Sequence, residues 1–100
     1  MRLYELTFII HPDADEEQQD AIKQRIGDIA SQNGGEVVSV RDWGHRKLAY
    51  PIRKQTSGFY VTMRLRMEPP AVAELQPFLR LSEDILRYLI VRADEVPAEP

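Results

Sequence analysis

Phe59, Val61, Met63, Leu65 and Met67 alternate without a break with Tyr60, Thr62, Arg64 and Arg66. A period of two places the first set on one side of a strand and the second on the other. The first side is wholly apolar and must be covered. The second is polar and basic, and needs no cover from this chain. A sheet buried on one face only is therefore the strongest constraint on the fold.

The rest of the chain agrees. From Arg2 to Ile10, residues Tyr4, Leu6, Phe8 and Ile10 share one side, while Glu5, Thr7 and Ile9 fall on the other. "HPDADEE" ends that strand, and Asp13 with Glu16 has the spacing of a capping box. Ala14, Gln18, Ile22, Ile26, Ile29 and Ala30 follow helical spacing, and "NGG" (Asn33 to Gly35) supplies a stop. A second strand starts at Glu36, with Val38 and Val40 on one side. It is interrupted near Gly44, where a bulge is expected, and resumes through Leu48, Tyr50 and Ile52. "KQTSG" (Lys54 to Gly58) has the length of a hairpin turn. "EPPAVAELQPFLRL" carries a second helix with Val72, Leu75, Phe78 and Leu79 on one face; Pro77 inside it predicts a kink or an early end. Ile85 to Arg92 is a last strand, and 93–100 reads as a flexible acidic tail.

The order is β-α-β-β-α-β. Two split βαβ units of this kind make an α+β domain over 1–92, with a four-stranded antiparallel sheet and both helices on one face. The open face would display Tyr60, Thr62, Arg64 and Arg66, joined by Glu5, Thr7 and Ile9. An uncovered face of mixed character is a docking surface.

Charge sharpens this. The chain of 100 residues has a net charge of -3. Yet Arg41 to Arg66 holds seven basic residues and one acid, Asp42, for +6, and the remainder carries -9. A local basic stripe is what a phosphate backbone responds to, whatever the total. The interleaved aromatics Trp43, Tyr50 and Tyr60 suit either base stacking or packing.

Other chemistry is poorly supported. The sequence has no cysteine, so disulfides and thiolate metal sites are excluded. No phosphate loop, nucleophile elbow or zinc-binding His pair occurs, and no cofactor or small-molecule substrate is implied. His11 and His45 read as turn or surface residues. Asp13, Asp15, Glu16, Glu17 and Asp20 read as a solvated first helical turn rather than a metal site. "LTFII" is too short to cross a membrane, so a soluble cytoplasmic protein is expected, with no membrane partner.

"SGFYVTMRL" is loosely similar to the third strand of an RNA-recognition-motif domain, but Phe59 lies on the core side and the first strand lacks a partner aromatic. "GHRKLAYPI" (Gly44 to Ile52) carries a more specific likeness. With the following Lys54, the opening "RLYEL", the "SGFY" segment and the closing "DILRYLIV", it resembles the bacterial small-subunit ribosomal protein six family over nearly the whole chain. The resemblance implies the ferredoxin-like split βαβ fold and a non-catalytic role. That role is binding the central domain of 16S ribosomal RNA in the platform of the small subunit, as a heterodimer with small-subunit ribosomal protein eighteen. That partner is very basic in the family, which offers a use for the acidic surplus here.

By residue, the resemblance implies RNA contact for Arg2, Tyr4, Arg46, Lys47, Lys54, Arg80 and Arg87. Trp43, Leu48, Tyr50, Ile52 and Tyr60 are expected in the partner interface, with the Leu48–Ile52 segment also open to a purely structural role. Two alternatives come from other classes. One is a stand-alone RNA-binding module that uses the open sheet. The other is an acylphosphatase-like enzyme, which "HPDADEE" disfavours because acids there would repel phosphate.

Overall fold

The computed structural model describes residues 1–93. The elements are β1 (Arg2–Ile10), α1 (Glu16–Gln32), β2 (Glu36–Ile52), β3 (Gln55–Met67), α2 (Pro69–Leu81) and β4 (Ile85–Arg92). The strands form one sheet in the order β2-β3-β1-β4, and every neighbouring pair is antiparallel. The expected tail lies outside the described residues from 94 onward.

The two alternating strands sit in the middle. β1 and β3 pair from Arg2 opposite Met67 to Ile10 opposite Phe59. Their apolar sides meet both helices in one core. Leu6, Phe8, Ile10, Val61, Met63 and Leu65 pack there with Ile22, Ile26 and Ile29 of α1 and Ala71, Leu75 and Leu79 of α2. Both helices therefore cover the same face, as the strand patterns require.

Four local features sharpen or change the expected elements. The cap of α1 is Asp15, not Asp13: its Oδ1 accepts from Gln18 N at 2.8 Å, and Gln18 Oε1 accepts from Asp15 N at 2.9 Å. The box is offset by two residues because "HPDA" forms its own turn, in which Asp13 N donates to His11 Nδ1. Second, Val38 and Val40 are not buried; they are 45% and 46% exposed. β2 is an edge strand, and register shifts near Val37, Asp42 and Lys47 change which side faces the helices. The expected bulge at Gly44 is one of them, with φ at +81°. Third, the β2–β3 turn is shorter and earlier than Lys54–Gly58. Ile52 pairs with Gln55, so only Arg53 and Lys54 form it, at φ 49° and 67°. That is the backbone of a hairpin turn which normally takes Asn-Gly. Left-handed backbone costs about 1–2 kcal/mol for each residue with a Cβ. Fourth, α2 runs through Pro77 to Leu81 rather than ending there. Ala71, Leu75 and Leu79, all buried, hold it down on both sides of the proline.

A second, smaller core lies on the face away from the helices. Ile9, Leu48 and Leu86 pack together there, with Ile52 and Tyr60 against them. The far part of β2 therefore folds inward over β1 and β4, so the open face is partly roofed at that end. Gly58 makes this approach possible: a Cβ there would lie 2.5 Å from Ile9 Cγ2 and 2.8 Å from Ile10 O.

Candidate nucleic-acid interface

The open face begins as three cross-strand pairs of β1 and β3, in which Glu5 faces Arg64, Thr7 faces Thr62 and Ile9 faces Tyr60. Arg64 Nη2 meets Glu5 Oε2 at 3.2 Å, and the threonine hydroxyls lie 3.3 Å apart. Trp43 leans in from β2 and donates Nε1 to Thr62 Oγ1 at 2.9 Å. The Arg41 guanidinium stacks 3.8 Å above the Trp43 ring, and Arg46 Nε donates to Trp43 O at 3.0 Å. Trp43 thus organises two cations beside a shallow trough lined by Glu5, Thr7, Tyr60 and Thr62. A second trough, lined by Thr7, Ile9, Tyr60, Arg87, Tyr88 and Leu89, continues it toward β4.

The basic run divides into two electrostatic halves. Arg64 is paired with Glu5, and Arg66 with Glu36 at 2.6 Å. Asp42, the single acid in the run, is held by Lys23 of α1 at 2.7 Å. Arg46, Lys47, Arg53 and Lys54 have no carboxylate partner among the described residues, and all four are exposed. Among the described residues the charge without a carboxylate partner lies mostly in the arm of the β2–β3 hairpin beyond Gly44, with Arg41, stacked on Trp43, the one such cation of the run before it.

The expected RNA residues do not form one patch. Arg2 stands at one end of β1, opposite Met67, while Arg87 pairs with Ile9 near the other. At a strand's rise, those ends are about 24 Å apart. Arg46 and Lys47 lie on the hairpin arm, opposite Gly58 and Ser57. Arg80, in the last turn of α2, and Arg87 are brought to one cleft, which Arg53 also lines.

Two of the expected site residues are buried. Tyr4, expected at the RNA, is 7% exposed and belongs to the main core. The period of β1 puts it with Leu6 and Phe8. Leu48, expected in the partner interface or in a structural role, is also 7% exposed, in the second core with Ile9 and Leu86. Tyr50 is exposed and accepts a hydrogen bond at Oη from Arg87 Nη1. Ile52 and Tyr60 are half-buried against the second core, and Trp43 is 39% exposed. Sequence reasoning passed over Arg53, although it sits in the basic run beside Lys54. Its neighbours in space, Arg80 and Arg87, come from elements far away in sequence.

The fold and this surface define a class: a ferredoxin-like α+β module with an open sheet face and an uncompensated basic arm. By its backbone alone, it is shared with proteins of other kinds. The C-terminal domain of the MgtC protein from Mycobacterium tuberculosis superposes with a TM-score of 0.68 at 17% identity, over 99% of this chain and 95% of that one.

Sequence resolves the class further. The ribosomal protein S6 family model matches residues 3–92. The small ribosomal subunit protein bS6 of Caldanaerobacter subterraneus subsp. tengcongensis is 39% identical over 95 residues, 95% of this chain and 100% of that protein. The crystal structure of 30S ribosomal protein S6 from Thermotoga maritima superposes with a TM-score of 0.87 at 31% identity, covering 95% of this chain and 90% of that one. The chain belongs to the ribosomal protein S6 family. It is a bacterial small-subunit ribosomal protein of the cytoplasmic ribosome, with a structural place in translation.

Proposed function

We propose that this chain binds the central domain of 16S ribosomal RNA, and does so as a heterodimer with small-subunit ribosomal protein eighteen in the platform of the subunit. The observation that carries the RNA half is the hairpin arm, where Arg46, Lys47, Arg53 and Lys54 project with no carboxylate partner among the described residues. Such charge interacts well with a phosphate backbone and needs little base recognition. The partner half is supported by the sheet face. Trp43, Tyr50, Leu89 and Val91 leave apolar area exposed there, at 39%, 55%, 63% and 36%. Catalysis plays no part in this reading. Charge complementarity between a basic partner and the acidic remainder of the chain would speed and orient association.

The test replaces Arg46, Lys47 and Lys54 together by Ala. All three are exposed, so the fold should be retained. Affinity for central-domain RNA in the presence of the partner should fall. The slope of log affinity against log salt should become shallower by about two, since fewer counterions are released. An unchanged affinity and slope would remove these residues from the RNA interface.

A further inference from the structure

We propose that Arg53 joins Arg80 and Arg87 in a single phosphate-binding cleft, and that the strained turn at Arg53–Lys54 is what holds Arg53 there. The inference rests on the RNA-binding reading above and assigns that reading a particular pocket and a further residue. The ligand is a phosphate group of the RNA backbone.

Three observations converge. Arg53, Arg80 and Arg87 line one cleft of about 240 Å³ with Tyr88, and no carboxylate lines it among the described residues. The nearby acids Glu83 and Asp84 face a different cleft, with His11 and Asp13. Three arginines that line one cleft with no carboxylate among its described lining residues leave it electropositive, which an anion would offset. Arginine is also the side chain whose planar donors match phosphate oxygens.

The second observation is the seating of the turn. Leu48 packs on Ile9 and Leu86, with Ile52 against the same group. Tyr50 Oη accepts from Arg87, whose guanidinium lies 5.8 Å from the Tyr50 ring centroid. These contacts carry the hairpin tip across the sheet to β4, so the tip is positioned rather than left in solvent. They also fix Arg87, which lowers the ordering cost when a ligand arrives.

The third observation is the backbone. Arg53 and Lys54 both occupy left-handed φ, at 49° and 67°. A two-residue hairpin turn of this shape is free of strain with Asn-Gly. A turn that keeps two long basic residues in that conformation sacrifices stability locally, as binding sites do.

The experiment uses the full chain with Arg53→Asn, since Asn tolerates left-handed backbone and the turn should survive. Pyrophosphate is titrated while the Nε–Hε signals of Arg53, Arg80 and Arg87 are followed by NMR. In the parent chain the three signals should move together along one binding curve. In Arg53→Asn the affinity should fall roughly three- to tenfold, while thermal melting holds or rises by a few degrees. Arg53→Lys, which keeps the charge but not the planar donors, should recover part of the loss. A parent titration in which the Arg53 signal stays still, or an Arg53→Asn chain that binds pyrophosphate as the parent does, would overturn the proposal. Failure of the ribosomal reading looks different. The cleft would bind pyrophosphate, yet the chain with its partner would bind central-domain RNA no better than an unrelated RNA duplex.

Discussion

Gly58 shows how one atom sets the shape of the interface. Its missing Cβ leaves room for Ile9 and for the Ile10 carbonyl oxygen. Gly58→Ala should destabilise the fold by roughly 2 kcal/mol through overpacking, read as a lower urea midpoint with an unchanged slope. Arg64 carries a contrasting expectation. Its pair with Glu5 is partly exposed, with side chains 38% and 27% accessible. A double-mutant cycle on Glu5 and Arg64 should return less than about 1 kcal/mol. Alternation alone told which residues of β1 and β3 face the helices, Tyr4 included. A motif match says nothing of burial, so the likeness that names Tyr4 and the period that buries it are independent signals. The gathering of Arg53 with Arg80 and Arg87 left no local trace, because proximity between a turn, a helix end and a strand has no sequence period.

At the scale of elements, patterns were readable where one face is fully buried and misled where it is not. β1 and β3 lie in the sheet centre and alternate cleanly. β2 lies at the edge, with three register shifts, and its valines do not report a buried side. α2 adds a test of local cost against packing. Pro77 removes a hydrogen bond to the carbonyl of Ala73, yet the helix continues because Leu75 and Leu79 are anchored in the core. Pro77→Ala should therefore stabilise the chain by roughly 1–2 kcal/mol, the gain being reduced by the greater freedom of the unfolded chain. Thermal melting would check it, and a drop in melting temperature would mean that the ring itself packs favourably. For α1, Asp15→Ala should cost about 1 kcal/mol, because both halves of its capping box are formed. Asp13→Ala should cost less, although the sequence favoured it as the cap.

For the whole molecule, the division of labour follows the two faces of the sheet. One face and the two helices hold the fold together. The other carries a small second core that seats a basic arm, and an exposed apolar area that the proposed function gives to the partner. Leu48→Ala should separate the two functions. It should cost about 2 kcal/mol, at the low end for a buried leucine because the cluster is small. Amide exchange should quicken across 44–58 while the centre of the sheet stays protected. The most direct measurement of the central claim is the binding of central-domain 16S ribosomal RNA by the purified chain, with and without small-subunit ribosomal protein eighteen, across a salt series. The expected result is tight, strongly salt-dependent binding only when both proteins are present, weakened in the Arg46, Lys47 and Lys54 triple variant. Tight binding by this chain alone, or a complex indifferent to those three residues, would contradict it.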